Sequence, residues 1–189
     1  MTRSILLMLV AVLPLAQGCV PLVVGGAAAT GVAVAQDRRT AGTMADDESI
    51  EAKASGRIRN RFGEEPHVSV VSYNRSVLLV GQAPDAKTKA EVERIVRGVE
   101  GVKSVLDEVV VGSATSMSTR SNDTLITSKV KARFIDANKF NVLNVKVVTE
   151  NGVVYLLGLV SKQEASDASD VARTTSGVQK VVRVFEYVD

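Results

Sequence analysis

The sequence predicts an α+β fold made twice over: two tandem domains, each running helix, strand, strand, helix, strand. Three observations predict it. The chain matches itself, with Leu125-Ile126 to Arg133-Phe134 aligning on Ser49-Ile50 to Arg57-Ile58 at an offset of 76, residues 145–148 on 68–71 at 77, and Gly177-Val178 on Gly101-Val102 at 76 again. Each copy opens with apolar residues at every fourth position and then changes to short runs rich in valine and leucine, a switch from helical to strand patterning. Between two such runs lies Asn151-Gly152, the strongest short hairpin signal, because both residues tolerate positive φ.

Taken in order, the first helix of copy one is expected behind Asp46-Asp47 as cap, with Ile50, Ala54, Ile58 and Phe62 as its buried stripe. Copy two repeats this with Asn122-Asp123, then Ile126, Val130 and Phe134. Strand pairs follow at 67–73 and 76–81, and at 145–149 and 153–158. The second helices begin at Pro84-Asp85 and at Ser161, where Glu164 three residues on completes a capping box. They end between Gly98 and Gly101 and at Gly177, and final strands cover 102–111 and 178–188. Each copy thus covers one face of a small three-stranded mixed sheet with two helices. A unit of about 65 residues is marginal alone, so packing of one copy on the other is favoured. The resulting division is 1–18 export signal, 19–45 tether, 46–112 first domain, 113–120 linker and 121–189 second domain.

The N-terminus has its own signature. Arg3 precedes a run of mostly apolar residues over 5–16, then Gln17-Gly18-Cys19. The run is shorter than the roughly 20 residues that span a bilayer and fits the apolar region of a secretory signal. Residues 20–35 are uncharged and rich in Gly and Ala, the composition of a flexible tether reaching to about Ala45.

Composition excludes several chemistries. Cys19 is the sole cysteine, which rules out an intrachain disulfide framework and a cysteine metal cage. A net charge of +2 over 189 residues gives no field for nucleic acid, and no tryptophan is present for base stacking. His67 is the only histidine, and the acids come as adjacent pairs such as Glu64-Glu65, which do not face each other across a substrate. No catalytic residue, metal site or cofactor is therefore expected.

A surface is expected instead. With Ile126, Val130 and Phe134 inward, Leu125 lies about 140° from the buried stripe and faces solvent. Ser128, Lys129 and Ala132 share that side, with Arg133 at its edge. An exposed Leu among small residues and cations suits an interface that dips into lipid and meets anionic head groups. Copy one has Ser49 at the equivalent place, flanked by Glu48 and Glu51.

The self-repeat, the strands "LLVG" and "YLLG" and the segment "GV..V" leading into each last strand resemble BON domains of bacterial osmotic-stress and nodulation proteins. The segments "QGCV", "DRRTAGTMADD", "VLLVGQAP", "SNDTLITSKV" and "VTENGVVYLLGLV" are similar to double-BON outer-membrane lipoproteins over nearly the whole chain. Resemblance implies that Cys19 carries the lipid after cleavage behind Gly18, and Val20, where an Asp would retain the protein at the inner membrane, implies the outer membrane. Ala16 departs from the branched aliphatic usual three places before the lipidated cysteine. Resemblance further implies that Leu125, Ser128, Lys129, Ala132 and Arg133 bind anionic phospholipid, and that the protein supports envelope integrity and gathers at the division site. A tryptophan usually stands where this chain has Leu125. The rival expectation is an adaptor for envelope-assembly or cell-wall-remodelling proteins, docking through an open sheet face or the first domain.

Overall fold

The computed structural model describes residues 37–188, and both copies belong to one compact unit. Copy one consists of α1 (Ala41–Phe62), β1 (His67–Tyr73), β2 (Ser76–Ala83), α2 (Ala86–Arg97) and β3 (Ser104–Val111). Copy two consists of α3 (Met117–Ala137), a 3₁₀ turn (Val142–Asn144), β4 (Val145–Glu150), β5 (Val153–Val160), α4 (Lys162–Arg173) and β6 (Lys180–Tyr187). Each sheet has its second strand in the middle, antiparallel to the first and parallel to the third. The mixed sheet and the α+β class are as the repeat predicts.

The first helices start earlier than the sequence suggested. Thr40 caps α1 through Oγ1, which accepts from Thr43 N, and Ser116 caps α3 in the same way toward Thr119 N. Asp47 and Asp123, expected as caps, lie inside the helices and are buried. Their carboxylates have another task. Asp47 accepts from Ser72 Oγ at 2.6 Å, Asn74 N at 2.9 Å and Arg75 N at 2.7 Å. Asp123 accepts from Asn151 N and Gly152 N, both at 2.8 Å. Each carboxylate closes the hairpin turn of its own sheet onto its own helix, because tight turns leave backbone N–H groups that need acceptors. The second helices match expectation, with Asp85 capping α2 and the Ser161–Glu164 box capping α4.

Three cores hold the unit together. Ile50, Ala54, Ile58, Val92 and Val96 pack on Val77 and Leu79 beneath the helices of copy one. Ile126, Val130, Phe134, Ala165, Ala168 and Ala172 pack on Val154 and Leu156 in copy two, where small alanines let α4 approach closely. The third core lies between the sheets, where Tyr73, Leu78 and Val80 meet Tyr155 and Leu157. Alternation along β2 and β5 explains it, since odd residues of β2 face helix and even ones face the other sheet. The expectation of an open sheet face for a partner is therefore corrected: each sheet covers the other. Polar groups pin this interface. Tyr73 OH donates to Asn144 O at 3.2 Å, Gln82 Nε2 to Glu150 Oε1 at 2.6 Å, and Lys146 Nζ to Glu51 Oε1 at 2.8 Å. Burial, with Glu108 and Glu150 nearby, pushes the Tyr155 hydroxyl up to about 12.

Candidate functional site

The residues singled out on α3 are presented by a helix fixed on its opposite side. Ile126, Val130 and Phe134 are all but fully buried, which turns Leu125 outward at 58% exposure. Ser128, Lys129 and Ala132 are exposed beside it, as their spacing requires. Lys129 has no ion-pair partner among the described residues, so its charge is available to the surface. Ser128 turns its hydroxyl back onto its own helix, donating to Thr124 O at 2.9 Å.

Arg133 is different. It is half-buried, and its Nη1 donates to Val171 O at 3.2 Å and to Thr175 Oγ1 at 3.0 Å. It therefore satisfies one carbonyl near the C-terminal end of α4 and a hydroxyl just beyond it, a position that favours a cation. Arg57, its counterpart, does the same in copy one, where Nη1 donates to Gly98 O at 2.8 Å. The two arginines thus hold the ends of the second helices in both copies.

The structure adds residues that sequence reasoning missed. Met117 is 71% exposed and Ile135 63%. Eighteen residues apart on α3, they share one direction about 80° from Leu125, on the side of Ser128. The exposed side of α3 thus carries Met117, Leu125, Ala132 and Ile135, with Lys129 among them and Asp136 near its end. Met117 lies five residues ahead of the Asn122-Asp123 pair that reads as a cap, and Ile135 lies beyond Arg133 at the end of the predicted arc. Comparing copies is the signal that finds both: their counterparts are Ala41 and Arg59, as Leu125 and Ala132 answer to Ser49 and Gly56.

Ahead of α1, Asp37 to Arg39 are folded onto the domains. Arg38 Nη1 donates to Leu159 O at 2.8 Å and to Glu164 Oε2 at 2.6 Å, and Arg39 lies 3.9 Å over the Tyr73 ring. Bonding to Arg38 holds the Glu164 carboxyl below the usual carboxylate range. Cys19, Val20 and the export signal lie outside the described residues. Among the described residues no helix is long and apolar enough to cross a membrane, and no cluster of metal-ligating side chains occurs. His67 is exposed at the start of β1.

Comparison with known proteins agrees with the duplication. The BON domain family model matches residues 46–113 and again residues 122–189. The chain is 41% identical over 175 residues to outer membrane lipoprotein DolP of Haemophilus influenzae, covering 92% of this chain and 90% of that protein. It is 36% identical over 154 residues to the 21 kDa hemolysin of Actinobacillus pleuropneumoniae, covering 80% and 79%. Similarity to osmotically-inducible protein Y of Escherichia coli is 33% over 144 residues, covering 74% and 72%.

Proposed function

This chain belongs to the BON domain family, carrying two of its domains in tandem, and from that premise we propose that it is an outer-membrane lipoprotein, anchored through Cys19 and facing the periplasm, that binds anionic phospholipid through its second domain. The reading extends to support of envelope integrity, with enrichment at the division site where anionic lipid gathers. The observation that carries it is the exposed side of α3, where Leu125 stands outward beside Lys129, which has no ion-pair partner among the described residues. Similarity to a named outer membrane lipoprotein over 92% of the chain supports the anchor and the compartment.

The magnitudes fit a tethered protein. Burying one Leu contributes about 1.5–3 kcal/mol, and a cation near an anionic leaflet about 1 kcal/mol. Such a sum is weak for a free domain. An acyl anchor adds about 0.8 kcal/mol per buried methylene and keeps the domain at high local concentration, so a weak contact decides orientation and lateral position. Leu125 and Ala132 enter the interface, Lys129 and Ser128 meet head groups, and Arg133 adds charge from the edge while holding α4.

Co-sedimentation of residues 37–189 with vesicles of rising phosphatidylglycerol content tests this. Binding is expected to rise with anionic fraction and fall with salt. Leu125→Asp should weaken it about 10- to 100-fold, and Lys129→Glu about tenfold. Binding that ignores both substitutions removes the proposal.

A further inference from the structure

Both β3 and β6 are edge strands lying parallel to their single neighbour, and they are finished differently. On β3, Lys89 Nζ donates to Val109 O at 2.6 Å, Val109 N donates to Asp107 Oδ1 at 2.9 Å, and Lys89 and Asp107 form an ion pair at 3.6 Å. A strand residue that gives both backbone groups to side chains is one that turns them away from β2. The Lys89–Asp107 pair therefore seals this edge against another strand.

Among the described residues β6 has no such seal. Phe185 stands opposite Gly158 as Val109 stands opposite Gly81, so its backbone N–H and C=O face the open side. Ala165 replaces Lys89 and Arg183 replaces Asp107. Ala has no donor, and Arg has no acceptor. Among the described residues no side chain bonds the Phe185 backbone. Beside this edge lies a cavity of about 290 Å³ lined by Arg173, Lys180 and Arg183 against one carboxylate, Asp170, which is paired with Arg173 at 2.8 Å. Among the described residues Arg183 is held only through Nε, on Ser169 Oγ at 2.7 Å, and Lys180 is exposed.

We propose that the outer edge of β6 accepts one more strand, an extended acidic segment of a partner protein. Its backbone bonds to Phe185, and its alternate carboxylates meet Arg183, with Lys180 reaching the same cavity from the start of the strand. Main-chain bonds give such strand addition its affinity, and side chains at every second position give its selectivity. A second copy of this chain fits less well, because β6 paired antiparallel with itself brings the two Arg183 side chains together near the centre.

The test uses the full chain in detergent micelles and a fluorescent nine-residue peptide of alternating Glu and Val, followed by anisotropy. Saturable binding is expected, lost when Lys replaces Glu in the peptide. It should weaken at least about tenfold with Lys180→Glu or Arg183→Gln, two cations that charge-assisted pairing would use, and stay unchanged with Lys53→Glu on α1. Methylating alternate peptide amides, which preserves charge and leaves the protein untouched, should also abolish it. Equal binding of the methylated peptide, indifference to both β6 variants, or self-association through this edge that the peptide cannot compete would overturn the proposal.

Discussion

Asp47 and Asp123 hold the same place in the two copies and do the same work, as do Arg57 and Arg133, and as do Gly81 and Gly158, where an added Cβ would stand 2.1 Å from His67 O and 2.4 Å from Asn144 O. Ser49 and Leu125 also hold one place, yet one is polar and the other is a large exposed apolar side chain. The difference sorts the residues. What duplication kept alike closes turns, ends helices and lets strands approach. What it let diverge lies on surfaces: the outward side of α3 and the outer edge of β6.

The largest expected effect strikes what the copies share. Asp47→Ala leaves the hairpin N–H groups of Asn74 and Arg75 and the Ser72 hydroxyl without their acceptor, and should lower unfolding free energy by about 3 kcal/mol in urea titration. Asp123→Ala, with two such donors, should cost about 2 kcal/mol. A variant as stable as the parent would show that the turns are held by other means.

Smaller effects sharpen the divergence. Met117→Ser and Ile135→Ser should each weaken vesicle binding about fivefold while leaving the urea midpoint in place, since both side chains are mostly exposed. Arg57→Ala and Arg133→Ala should each cost about 1 kcal/mol of stability, matched between copies. A loss of lipid binding in Arg133→Ala without that loss of stability would make it a head-group ligand instead.

The smallest effect depends on pH. Arg38 holds the Glu164 carboxyl below its unfolded value, so the stabilisation is present above about pH 4.3 and fades as pH falls through the lowered folded value. Arg38→Ala should therefore shift the urea midpoint at pH 7 and leave it unshifted near pH 2. An equal shift at both would assign the effect to packing.

Sequence carried the fold far because duplication doubles each signal. The Ser161–Glu164 box and the Asn151-Gly152 turn fall where local chemistry put them. The helix starts did not, because an acid ahead of an apolar stripe reads as a cap, and only tertiary contact shows Asp47 reaching a turn across the domain. The sheet-on-sheet core was hidden for a related reason: strands such as residues 76–83 are apolar on both faces, which says they are buried without saying by what. Leu125 was legible because one helical stripe fixes the opposite side. The β6 edge was not, since it shows itself only as bonds that its counterpart makes.

On the proposed function, the first helix of copy two turns apolar side chains toward the membrane and that of copy one does not. Residues 37–189 contain no cysteine, so a nitroxide can be placed singly by Ala132→Cys on α3 or Gly56→Cys at the matching place on α1. Accessibility to oxygen and to a water-soluble nickel reagent, read by electron paramagnetic resonance on anionic vesicles, gives the depth of each label. The label at 132 is expected to sit below the phosphate level while the one at 56 stays in water. Equal depths at the two positions would contradict it.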